Sequence, residues 1–217
     1  MPHRKRQLRF KNQPLHVTMR LLVRPLRTRF MFPTLRDAIA KANRQLPAAF
    51  RVCEFSVQED HIHLLVEAAT PGALSRGMRG LALRMALAIN RLLFRRGPVF
   101  ADRWHGRLLT RPREVRNALV YVLANYRKHR GASCGEVGAW DVFSSAPYFR
   151  GFREFGGEAP CDCREDAVPR ALIPPDRSPV LPANTWLLRE GWRRYGLISV
   201  NEEPRQQGRA PSLERHQ

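Results

Sequence analysis

The chain has 217 residues, of which 43% are hydrophobic, enough for one sizeable core, and no apolar run approaches the ~20 residues that a bilayer span requires. Lys and Arg number 38 against 19 Asp and Glu, a net charge of +19 that points to a polyanionic partner, nucleic acid before an anionic membrane surface. The four cysteines, Cys53, Cys134, Cys161 and Cys163, are too few and scattered for a disulfide framework and lack structural-zinc spacing, so a reducing cytoplasm is expected.

Residues 1–13 are basic and polar, with no apolar segment behind the opening arginines, and read as an arm rather than a signal peptide. Residues 15–23 are rich in branched side chains and read as a strand. After Pro25 and Pro33, Thr34 reads as an N-cap, with Leu35, Ala38, Ile39 and Ala42 at helical spacing until Pro47. Residues 50–57 alternate polar and apolar, a second strand. Gln58, Glu59 and Asp60 turn the chain into a third, giving an antiparallel hairpin.

That third strand, Asp60-His61-Ile62-His63-Leu64-Leu65-Val66-Glu67, carries the strongest chemical signal. Side chains alternate along a strand, so His61 and His63 share one face while Ile62, Leu64 and Val66 take the other. Two imidazoles side by side can begin a site for one divalent metal, although most His-x-His pairs bind none. By the same alternation Glu67 lies on the histidine face, where it could support a ligand.

A long helix is expected over 72–95, with an apolar stripe from Leu74 to Leu93 and with Arg76, Arg79, Arg84, Arg91, Arg95 and Arg96 largely on a solvated face. Gly97 and Pro98 stop it, and a fourth strand is expected over 99–109. From Pro112, Val115, Leu119, Val122, Leu123 and Tyr126 repeat at helical spacing. The order β-α-β-β-α-β followed by a helix predicts an α+β, ferredoxin-like antiparallel sheet, with helices on one face and the other face available. Residues 14–153 form the expected folded domain and 154–217 a Pro-, Gly- and charge-rich tail with one short helix near 185–195. In that tail Arg189, Arg193 and Arg194 cluster beside Trp186 and Trp192, as a second nucleic-acid contact or as packing on the domain.

Tyr121 and Asn125 are i and i+4 on the last helix and share a face. A tyrosine hydroxyl can attack phosphorus once its proton is removed, and an Asn carbonyl can complete a metal site begun by two histidines. The commoner role of such a tyrosine is a core aromatic. Arg127, Lys128 and Arg130 give that helix a basic end suited to a DNA backbone. Arg103, His105 and Arg107 form a weaker candidate patch on the fourth strand.

His61-Ile62-His63, the stretch Val99-Phe100-Ala101-Asp102-Arg103-Trp104-His105, Tyr121-Val122-Leu123-Ala124-Asn125 and Phe143-Ser144-Ser145-Ala146 together resemble the single-tyrosine HUH transposases, and among them the REP-associated tyrosine transposase group. The likeness runs over residues 14–152. Where that family often has Asn-Pro after the tyrosine, Tyr126 replaces the proline and leaves the helix free to continue. The resemblance implies a nuclease that cuts and rejoins single-stranded DNA near hairpins. Tyr121 would be the nucleophile, forming a 5′-phosphotyrosine. His61, His63 and Asn125 would hold Mg²⁺ or Mn²⁺. The expected partner is single-stranded or hairpin DNA, with no membrane, for a monomer or homodimer. The alternative is a non-catalytic hairpin- or RNA-binding protein on the same fold.

Overall fold

The structure, a computed structural model, describes residues 13–45, 47–124, 140–160 and 178–204. Four strands form one antiparallel sheet: β1 (Leu15–Arg20), β2 (Phe50–Val57), β3 (His61–Ala68) and β4 (His105–Leu108), in the order β2-β3-β1-β4. Helices α1 (Phe32–Gln45) and α2 (Pro71–Leu92) connect them. This is the expected split βαβ arrangement.

One face is packed by α1 and α2. Leu15, Val17, Met19, Phe55, Val57, Ile62, Leu64 and Val66 point into that core with Leu35, Ile39, Met78 and Leu81. Period-two alternation in the strands meets period-3.6 stripes on the helices, so each element buries the face that its sequence makes apolar. Gly77 lets Phe50 lie against α2, since a Cβ there would fall 2.2 Å from the Phe50 ring. The side chain of Thr70 caps α2 by accepting from the Ala73 amide at 3.1 Å.

The other face is not left available. Helix α3 (Pro112–Ala124) lies across it, and a second core joins Cys53 and Leu65 of the sheet to Val115, Leu119, Val122, Trp140, Phe149, Phe152, Leu188, Trp192 and Ile198. Buried residues on α3 include Ala118, Val120, Leu123 and Ala124 as well. A helix apolar on nearly every side must be covered on nearly every side.

The cover on the outer side is the segment 178–204, with α4 (Trp186–Arg189) and a 3-10 turn at Gly191–Tyr195. Arg116 of α3 fixes it. Its guanidinium donates to both carboxylate oxygens of Glu202, at 2.5 and 2.8 Å, and to the carbonyls of Gly196 and Leu197. Glu67 holds its other end. That buried carboxylate accepts from Asn184 N at 2.7 Å, Thr185 N at 3.0 Å and Thr185 Oγ1 at 2.6 Å. Glu67 therefore clamps the tail, and its lone pairs are taken up there rather than beside a histidine.

Some boundaries differ from those expected. Helix α1 starts at Phe32 rather than after Thr34, because Thr28 takes up the preceding amides, accepting from Met31 N through Oγ1 and from Phe32 N through its carbonyl. The fourth strand is only four residues long, with Phe100 reduced to an isolated bridge to Leu21. The chain leaves the ladder between them, and the Trp104 ring folds over Gly106, where a Cβ would lie 2.8 Å from it.

Candidate functional site

The pairing of β1 with β3 sets Thr18 opposite His63 and Arg20 opposite His61. Pairing with β4 adds His105 beside Thr18 and Arg107 beside His16. These side chains share the face away from α1 and α2, because directly opposed residues point the same way. His61 and His63 are thus neighbours on one face, with ring centroids 4.7 Å apart and rings nearly perpendicular.

Helix α3 brings Tyr121 down onto this row. Its ring meets His63 edge-on at 4.9 Å between centroids and His16 at 5.6 Å. His63 is therefore buried, at 4% exposure, while His61 stays partly accessible at the rim. Burial pushes the Tyr121 hydroxyl above its ordinary value, which makes it harder still to ionise.

Two further residues, not singled out from the sequence, meet His63. Its Nδ1 lies 3.3 Å from His16 Nε2 and 3.2 Å from Thr18 Oγ1. Burial, and secondarily the charge of Arg107, pulls His16 down to about 4, so its ring is neutral. A signal for both was present: His16 and Thr18 are the polar alternates of an otherwise apolar strand. Which residues they face depends on strand pairing, which the alternation within one strand does not specify.

His61 is oriented differently. Its Nδ1 is 2.8 Å from Asp60 Oδ1, and this hydrogen bond is the principal cause holding Asp60 below its ordinary value. With the proton on Nδ1, the lone pair of the neutral ring is on Nε2. A carboxylate behind an imidazole is the usual way to fix the tautomer of a metal ligand.

The donor chemistry of the pair fits a divalent ion that tolerates imidazole. Among the described residues, no group of three His, Cys, Asp or Glu is placed to hold a metal. The expected third donor, Asn125, lies outside the described residues, as do Arg127, Lys128 and Arg130. Arg103 is exposed in the turn before β4. His105 is exposed too, with Asp102 3.4 Å away, and Arg107 lies 3.9 Å from Glu114. His105 and Arg107 both extend the histidine row toward the sheet edge.

Phe143-Ser144-Ser145-Ala146 runs along the outer edge of β2. Ser145 N donates to the Phe55 carbonyl, Val57 N donates to the Phe143 carbonyl, and Ser144 bridges Ser56. Ser145 Oγ also lies 2.6 Å from Glu54 Oε2, a carboxyl that burial pushes up to about 8. The segment is tied down by Asp141, whose two oxygens accept from Arg27 at 2.5 and 2.9 Å. Its role in the fold is to close a sheet edge.

In the tail, Trp192 is buried in the second core with Arg193 over its ring, while Trp186 is partly exposed beneath Arg194 at 4.7 Å. Among the described residues no helix is long and apolar enough to cross a membrane.

No protein-family model matches the chain, and no curated protein matches it. Solved structures that match it include one of a REP-associated tyrosine transposase bound to a REP hairpin. That match has 21% identity and a TM-score of 0.48, and covers 60% of this chain and 75% of that one. At that identity and score, function has to be argued from the chain's own residues.

Proposed function

We propose that this chain is a DNA strand-transferring endonuclease, a transposase-type enzyme that cleaves and rejoins single-stranded DNA at hairpins through a tyrosine nucleophile. The observation that carries the reading is the seating of Tyr121 edge-on over His63, the inner member of a same-face histidine pair. A core tyrosine needs no such company. The +19 charge supports a polyanionic substrate.

In this reading the Tyr121 hydroxyl oxygen attacks the scissile phosphorus in line. The Oη–P bond forms, the P–O3′ bond breaks, and the tyrosine proton ends on the departing 3′ oxygen. A 5′-phosphotyrosine conserves the bond energy, so a 3′-OH can reverse the step without a nucleotide cofactor. His61 and His63, with Asn125, would hold Mg²⁺ or Mn²⁺, which when bound supplies Lewis-acid polarisation of a phosphate oxygen. The chain's own residues do the positioning. Asp60 orients His61, His16 and Thr18 orient His63, and α3 sets the height of Tyr121 above them. The hydroxyl is protonated at rest, and burial makes the free tyrosinate less accessible still until the strand arrives.

The test is incubation of a labelled hairpin with single-stranded flanks in Mn²⁺, followed by a denaturing gel. A covalent adduct is expected from the parent protein and none from Tyr121→Phe, whose hairpin affinity stays within a few-fold because phosphates dominate binding. Retention on a native gel alone, with no adduct under any metal, would make the chain a non-catalytic hairpin binder.

A further inference from the structure

Helix α2 ends in a turn that carries a cost. Leu93 is its C-cap, Phe94 N donates to the Arg91 carbonyl at 3.3 Å, and Arg95 N donates to the Asn90 carbonyl at 2.9 Å. These are the paired bonds of a Schellman turn, in which the residue after the C-cap is left-handed and usually glycine. Here it is Phe94, with φ of +50°. A bulky side chain in that region is strained.

Nothing in the fold repays the strain, because Phe94 is 99% exposed. Strain and an unburied aromatic ring coincide at one residue. The turn is also held firmly: Asn90 Nδ2 donates to the Gly97 carbonyl at 3.0 Å and Arg95 Nη2 to that of Pro98 at 3.1 Å. The ring is therefore presented from a braced loop.

Its surroundings are cationic. Between Glu67 and Asp102 the chain has no acidic residue and six arginines, Arg76, Arg79, Arg84, Arg91, Arg95 and Arg96, the last two directly after Phe94. The loop also leads to the site. Val99 accepts from Leu22 N, Ala101 N donates to the Arg20 carbonyl, and Arg20 pairs with His61. Phe94 is seven residues before Ala101, so at most about 25 Å of chain separates it from the strand end beside His61.

We propose that Phe94 is a base-stacking post for a single-stranded DNA segment, with the exposed Arg96 taking a flanking phosphate. An exposed aromatic between cations is how sequence-tolerant single-strand sites are made, since every base offers a π-face and every linkage a charge. The proposal rests on the reading of the chain as a single-strand DNA enzyme and adds a subsite to it.

The test measures anisotropy of a fluorescein-labelled oligo-thymidine strand carrying one 2-aminopurine, with full-length protein and no metal. Phe94→Ala and Phe94→Asn are expected to lower single-strand affinity roughly tenfold, with the 2-aminopurine stacking signal lost and the salt slope unchanged. Phe94→Trp restores both, and duplex affinity does not move. Asn tolerates the left-handed turn, so that variant melts no lower than the parent and separates lost stacking from lost fold. Arg96→Ala makes the salt slope shallower by about 0.7. Parental affinity in Phe94→Ala, an equal loss on duplex, or a parental dimer that Phe94→Ala dissociates in sedimentation would each overturn the stacking post. Failure of the parent to bind any single strand would overturn the enzyme reading and the post together; parental binding that Phe94→Ala leaves intact overturns the post alone.

Discussion

The Nε2 of His16 lies 3.3 Å from the Nδ1 of His63, across two paired strands and beneath the ring of Tyr121. Because burial keeps His16 neutral, its Nε2 can accept the proton of His63 Nδ1, which leaves the lone pair of His63 on Nε2. His16→Ala is expected to weaken Mn²⁺ binding by about 10- to 100-fold, the usual effect of losing an outer partner of a ligand. Calorimetric titration with the metal alone reads this without catalysis. Unchanged metal affinity would remove His16 from the site.

The two histidines should separate in stability while agreeing in activity. His61→Ala removes a ring at the rim and is expected to change unfolding free energy by under about 0.5 kcal/mol. His63→Ala empties space under Tyr121 and is expected to cost about 1–3 kcal/mol in urea melts. Both should abolish adduct formation; an active variant of either would break the pair as a functional unit.

Stability should bend with pH in two opposed ways. Glu54 is pushed from 4.5 to about 8, so the folded state holds a proton that the unfolded state releases. Its contribution is full below pH 4.5 and is lost as pH rises toward 8. His16 is lowered from 6.5 to about 4, so its contribution is present above 6.5 and lost as pH falls toward 4. Glu54→Gln should remove the alkaline loss and leave the acid one. Urea midpoints across that range check it, and an unaltered alkaline limb in Glu54→Gln would clear Glu54 of the effect.

Glu67→Ala should loosen the tail. It leaves the Asn184 and Thr185 amides and the Thr185 hydroxyl without their acceptor, at an expected cost of about 2–4 kcal/mol. Hydrogen exchange should rise first across 178–204 and then in α3, which shares its core. Protection unchanged in that segment would mean that Arg116 and the buried tryptophan hold it alone.

Much of this was readable in the sequence, and the rest was not for definite reasons. The period-two run from His61 to Glu67 and the helical stripes placed the sheet, both covering helices and the histidine face, because each depends on near neighbours. His16 and Thr18 have no local sign of their role beyond being polar alternates, because their partner is chosen by pairing across 47 and 45 residues. Glu67 was placed on the correct face, yet its partners lie 117 and 118 residues on. The covered second face had a local sign, the almost wholly apolar stretch Ala118-Leu119-Val120-Tyr121-Val122-Leu123-Ala124, which no one-sided helix requires.

The clamp between Arg116 and Glu202 also puts the candidate site on a clock. The histidines precede Tyr121 in the chain, but the segment that seats α3 over them is made only after it. From Tyr121 to Ile198 is 77 residues, roughly 4–15 s of synthesis at about 5–20 residues per second. Throughout that interval a nascent chain carries His61, His63 and Tyr121 without the cover that sets their spacing. A chain ending at Pro160 should accordingly bind single strands yet form no covalent adduct, which would tie strand cutting to the synthesis of the covering segment.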